Sequence, residues 1–253
     1  MHLLSALSHR LGLTLAQVAV DDKTNEITAI HELLSGLIFE GRVITIDALL
    51  TQRRIAKAIM EGGGDYVMAV KENQPELYED LSFLLQPELP WEEKRPQAET
   101  IDLEHGRIES RRLTVMSLPE TYRINWPGAQ QIMKIERKSV MKKDGYQRQE
   151  NAYAITSLSA EQASPDKLLA LVRGHWSIEN RSHWVRDVSM GEDLCQVRTG
   201  NTPQILAALR NSVIGLLRFK SVKNIAAEFR RLAAQPADAL SLIGIPSLGR
   251  SYN

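Results

Sequence analysis

Two β-branched runs, Arg42–Ile46 (RVITI) and Asp65–Val70 (DYVMAV), flank a segment with helical periodicity from about Leu50 to Met60. Short apolar runs of this kind suit strands covered on both faces. Two strands joined through one helix by short links predict a parallel crossover, which is right-handed in nearly all folds. The chain is therefore expected to be α/β, with reactive groups gathered beyond the carboxyl ends of these strands. Asp47 closes the first run, while Lys71, Asn73 and Gln74 follow the second, so all four should emerge on one edge. Asp47 can equally well cap the helix after it.

On either side the periodicity changes. His2–Ser8 and Leu13–Val20 are apolar runs separated by His-Arg-Leu-Gly and predict a strand hairpin. Thr24 or Asn25 can cap a helix reaching about Phe39, ended by Gly41, and Gly62-Gly63-Gly64 stops the next helix. A helical stretch is expected from about Asn73 to Pro90. From Ile101 to Ile155 polar and apolar residues alternate, with a hairpin turn at KDGY. After Ser164-Pro165 the pattern turns helical over Asp166–Val185, about Pro203–Phe219 and Val222–Ala234. The stripe Ile205, Leu206, Leu209, Val213 and Leu216 is expected to be core.

Lys+Arg and Asp+Glu both number 31, so no net field identifies a polyanionic partner. The charge is nevertheless blocked. Glu72–Glu104 holds ten acids and two bases, His105–Arg148 ten bases and four acids, and Leu194–Arg231 seven bases and one acid. Such blocks are either solvated faces or phosphate-binding surfaces. The single cysteine, Cys195, excludes a disulfide framework and any multi-cysteine metal site. No apolar run approaches the ~20 residues of a bilayer span. The opening MHLLSALSHR is too short and too broken by His and Ser for a signal peptide, so a cytoplasmic location is expected.

The densest constellation is Arg173-Gly-His-Trp-Ser-Ile-Glu-Asn-Arg-Ser-His-Trp-Val-Arg-Asp187. On a helix His175, Glu179 and His183 fall at i, i+4 and i+8, with Arg186 near the same stripe. Three readings remain open. The residues can form a compact zinc site, although His-Glu-x-x-His spacing is absent. Glu179 can be a carboxylate ligand for Mg²⁺, with His175, His183 and Arg186 orienting phosphates. Or the segment is a half-buried, ion-paired helix.

Four motifs in order resemble the H-repeat-associated insertion-sequence transposases of bacteria. They are ITIDA around Asp47, AVKENQ ending at Gln74, HGRIESRR at His105–Arg112, and HW-S-IEN-x2-HW-x2-DV-x2-GED from His175. The resemblance implies a DDE transposase with a ribonuclease-H-like core, a mixed sheet flanked by helices. By it, residues 1–81 and 165–220 form that core, residues 82–164 a β-rich insertion, and residues 221–253 a C-terminal helix and tail. It implies that Asp47 and Glu179 are catalytic metal ligands for Mg²⁺ (or Mn²⁺) in two-metal phosphoryl transfer. The partners would be transposon ends and target DNA, in a dimeric complex assembled on DNA, with no membrane role. Candidate DNA contacts are Lys71, Arg107, Arg111, Arg112, His175, Arg181, His183 and Arg186. For Arg107–Arg112, cross-strand charge pairing is the competing reading. Against the broader Y-x2-R-x3-E-x6-K signature, Val172, His175 and Arg186 stand at the Tyr, Arg and Lys positions.

The family's first Asp lies in a D-G-K-like strand ahead of the segment matching His2–Ser8, and no such motif occurs in these residues. The expectation is therefore a core lacking its first strand, in an N-terminally truncated transposase that is inactive alone. A DNA-binding remnant without chemistry is the alternative.

Overall fold

The computed structural model describes residues 2–20, 26–87, 93–104, 106–118, 124–178 and 183–246. The chain opens with strands β1 (His2–Ser8) and β2 (Leu13–Val20) and helix α1 (Glu26–Ser35). It continues with β3 (Val43–Ile46), α2 (Arg53–Glu61), β4 (Asp65–Val70) and α3 (Pro75–Leu84). Four long strands follow, β5 (Gln97–Glu104), β6 (Arg107–Ser117), β7 (Gln131–Met141) and β8 (Gln147–Thr156). The remainder is helical: α4 (Pro165–Ile178), a π-helical turn (Val185–Ser189), α5 (Thr202–Phe219), α6 (Ile225–Ala234) and α7 (Pro236–Leu242). Two compact units divide the chain, residues 23–176 and residues 1–22 with 177–253.

In the larger unit a six-stranded mixed sheet has the order β3-β4-β8-β7-β6-β5. β3 and β4 are parallel, as the crossover predicts, with Val43 opposite Asp65 and Ile46 opposite Met68. The other pairings are antiparallel, and β8 joins the long strands to β4 through Met68↔Ile155. Residues 97–156 therefore extend the same sheet that holds β3 and β4.

Helices cover both sides of this sheet. Leu168 and Leu169 of α4 pack with Val67, Leu113, Met133, Ile135 and Ala154 in one core. On the opposite face Tyr78 of α3 meets Tyr153 edge-on at 5.2 Å between ring centroids. Ile55, Ala56 and Ile59 of α2 are fully buried. α2 starts three residues later than its periodicity suggests, because Leu50 and Thr51 are held in a turn. The Leu50 N–H donates to Asp47 Oδ1, and Thr51 Oγ1 lies within hydrogen-bond distance of the Asp47 carbonyl. The glycine triplet ends α2 as expected: Gly63 has φ +74°, and a Cβ on Gly64 would lie 2.8 Å from Phe39 Cβ.

In the smaller unit β1 and β2 form the expected hairpin, from His2↔Val20 to Ser8↔Leu13. Asn224 caps α6 by accepting the Ala227 N–H at 3.0 Å. The expected core stripe of α5 is corrected. Ile205, Leu209 and Val213 are exposed, while Ala207, Asn211, Ile214 and Leu217 are buried. The reason is polar: Asn211 donates to Gln17 Oε1 at 2.7 Å, and Gln17 donates to the Gln204 carbonyl, which turns that face of α5 toward β2. The helix expected over 166–185 ends, as described, at Ile178. After residues 179–182, which lie outside the described set, Val185–Ser189 winds as a π turn closed by Met190 N–H on the Val185 carbonyl.

Candidate functional site

The loops after β3 and β4 are tied together backbone to side chain. Thr51 is fully buried and its hydroxyl lies 2.8 Å from the Asp47 carbonyl and 2.6 Å from that of Ala69. Asn73 donates to the Ala48 carbonyl at 2.7 Å, and Gln74 to the Thr51 carbonyl at 2.9 Å. The edge foreseen from the parallel crossover is thus a single knitted ledge, and Asn73 and Gln74 are its stitches. Asp47 stands on it exposed, with Oδ1 taking the Leu50 N–H at 3.0 Å. The capping reading of Asp47 is observed, and the exposed carboxylate keeps its second oxygen for another ligand. Lys71 is exposed on the same ledge.

α4 reaches this region from the covered face. His175 Nδ1 lies 3.0 Å from Thr45 Oγ1 on β3, two residues before Asp47 in the sequence. Glu179 and Arg181 lie outside the described residues. His183 is exposed in the smaller unit. Arg186 is only 8% exposed, its fork on Glu192 at 2.7 and 2.9 Å, so it braces the π turn. Asp187 beside it is held above the usual carboxylate range, first by burial and then by the nearby Asp193. Among the described residues no group of three or more His, Cys, Asp or Glu side chains is placed to hold a metal ion. A hard, exposed carboxylate such as Asp47 nonetheless fits a magnesium ligand.

The three arginines of the HGRIESRR segment do not act together. Successive side chains on β6 alternate between faces. Arg107 and Arg111 share the face under α4, where both pair with Glu109. Arg111 also pairs with Asp102. Arg112 points to the opposite face and meets Glu99 at 3.4 Å. All three are therefore engaged in charge pairs on the sheet.

Sequence reasoning missed the centre of this network. Glu109 is 4% exposed and accepts from Arg137 at 2.8 and 3.1 Å as well as from Arg107 and Arg111. Burial alone would raise its pKa, but the hydrogen bond from Arg137 and the charges of Arg111, Arg137 and Arg107 outweigh it and hold it below the ordinary glutamate value. Trp176 of α4 lies 5.9 Å from the Arg111 guanidinium and 5.8 Å from that of Arg137. Alternation could have placed Glu109 and Arg111 on one face, but only the pairing of β6 with β7 brings in Arg137.

A mixed sheet flanked by helices is consistent with a ribonuclease-H-like fold. The family described as Transposase DDE domain matches residues 1–216. The chain belongs to that family. It is 33% identical to YbfL of Escherichia coli K12 over 225 residues, which is 86% of this chain and 58% of that protein. It is 32% identical over 226 residues to the "H repeat-associated putative transposase YhhI" of the same organism, again 86% of this chain and 58% of the relative. The chain thus spans a little over half the length of these curated relatives. No described helix is long and apolar enough to cross a membrane.

Proposed function

We propose that the chain is a DNA-processing part of an insertion-sequence transposase, with Asp47 and Glu179 as two of its divalent-metal ligands. The observation that carries this reading is the exposed Asp47 carboxylate on the ledge beyond parallel strands β3 and β4, in a chain of the DDE family. The His175–Thr45 contact supports it, since it brings the helix that precedes Glu179 in sequence onto the strand that precedes Asp47. Bound Mg²⁺ or Mn²⁺ would supply Lewis-acid stabilisation of charge at the phosphoryl oxygens.

In this reading Asp47 holds the cation with the oxygen that the Leu50 amide leaves free. Thr51, Asn73 and Gln74 keep the ledge rigid. Exposed Lys71 and His183, together with His175 and Arg181, contact backbone phosphates, which gives affinity without sequence choice. Arg107 and Arg112 add to this from opposite faces of β6, whereas Arg111 and Arg186 serve mainly to hold other side chains. The domain division given by the family resemblance, with residues 82–164 as an insertion in the catalytic core, belongs to the same proposal, as does dimeric assembly on transposon ends.

Titration calorimetry with Mg²⁺ tests the site. Asp47→Asn and Glu179→Gln are each expected to weaken binding by tenfold or more, about the loss seen for metal-site partners generally. Unchanged affinity in both variants overturns the metal assignment. The alternative reading is DNA binding without chemistry. It predicts salt-sensitive DNA affinity indifferent to Asp47→Ala. Strand transfer by the purified chain with a linear duplex end and Mg²⁺ excludes it.

A further inference from the structure

On the α4-covered face of the long strands, arginines are set in positions that an apo protein would ordinarily avoid. Arg111 and Arg137 are direct partners across β6 and β7. Like charges directly opposite each other destabilise a sheet. Here Glu109 bonds to both, and the ring of Trp176 lies close to both guanidinium groups. One row further out, Arg107 pairs with the same glutamate at 3.1 Å. From α4, Arg173 reaches Asp102 at 2.8 Å. At the β8 end, Arg148 pairs with Glu150, which also lies 3.6 Å from Arg137.

Among the described ion pairs of this face, Arg107, Arg111, Arg137, Arg148 and Arg173 share three carboxylates, Asp102, Glu109 and Glu150. Each guanidinium carries five N–H donors in a fixed fork, so the carboxylates leave many donors uncommitted. Arg111 Nε is buried with no hydrogen-bond partner among the described residues. Arg107, Arg137 and Arg173 keep 42%, 32% and 38% of their side chains exposed, and Trp176 is 36% exposed. The buried Glu109 and the half-buried Asp102 thus fix the orientation of arginines that keep part of their side chains in solvent. Rotamer entropy that a flexible surface arginine loses on binding an anion has already been lost here.

We propose that Arg107, Arg137 and Arg173, fixed by Glu109 and Asp102 around Trp176, bind the phosphodiester backbone of a DNA strand. The inference rests on the proposed DNA-processing role and adds to it a contact surface on the long strands. Bidentate guanidinium recognition suits phosphate oxygens. Trp176 and Arg173 also stand three and six residues before Glu179 in the sequence.

The test is the salt dependence of binding between the 253-residue chain and a short fluorescein-labelled duplex in EDTA, read by anisotropy. Each neutralised phosphate contact lowers the slope of log affinity against log salt by about one. The Arg137→Gln/Arg173→Gln double variant is expected to lose about two from the slope and about thirtyfold in affinity near physiological salt. If the unsubstituted chain binds no duplex, the DNA-processing role itself falls. If it binds but the folded double variant keeps the same slope, only the arginine surface falls. A second measurement avoids any folding loss. In the unsubstituted chain, DNA should protect Arg107, Arg137 and Arg173 from phenylglyoxal while leaving Arg231, paired with Glu228 and Asp238 on α6 and α7, reactive. Equal modification of all four with and without DNA overturns the proposal.

Discussion

The two faces of strands β5–β8 carry the same residue types with different physics. Under α4, Glu109 is nearly enclosed and gathers three arginines. On the opposite face Glu99 and Arg112 meet at 3.4 Å with about half of each side chain in water. In the enclosed site the carboxylate has lost its hydration and depends on its partners, whereas the exposed pair exchanges one set of water contacts for another. Sequence spacing is equal for both, so the difference comes from which face a helix covers.

The largest expected effect is on the packing that creates the enclosed face. Leu168→Ala removes a fully buried side chain from the α4 core and should cost about 2–5 kcal/mol by urea denaturation. A loss under about 1 kcal/mol would mean that α4 does not pack as described.

Glu109→Gln should cost about 2 kcal/mol, below the 3–5 of a fully enclosed pair because Arg107 and Arg137 remain partly in water. The sign of its pH dependence follows from the lowered pKa. Stability from Glu109 is present above the ordinary glutamate pKa of about 4.3 and is lost as pH falls through the lower folded value. The variant should therefore have a shallower acid limb below about pH 4 in a stability–pH series. Equal acid limbs would put Glu109 in the same class as Glu99.

Asn224→Ala should destabilise the smaller unit by about 1 kcal/mol, the usual worth of an N-cap, detectable as a lower thermal midpoint. The smallest effect belongs to the open face. Glu99→Gln should change stability by less than about 0.5 kcal/mol and respond to salt. A loss equal to that of Glu109→Gln would erase the contrast between the two faces.

The ledge at Asp47 was legible because parallel crossovers bring strand ends to one edge, and RVITI and DYVMAV announce such strands without long-range information. That Asp47 would both cap and remain exposed was not legible, since it turns on Thr51 bonding to a carbonyl of β4. Likewise the apolar stripe of α5 was visible in the sequence, yet Asn211 went inward because Gln17 on another element met it.

Local pattern determined the elements of this protein: strand runs, glycine stops, the KDGY turn, the alternation that separates Arg111 from Arg112, and the motifs that mark a DDE-family chain. Those properties depend on backbone geometry within a few residues. Tertiary structure decided which charges were buried and with whom, because Glu109, Arg137, Arg173 and Trp176 meet only through strand register and the docking of α4. Desolvation and charge pairing act through space, so their strength is set where distant segments meet.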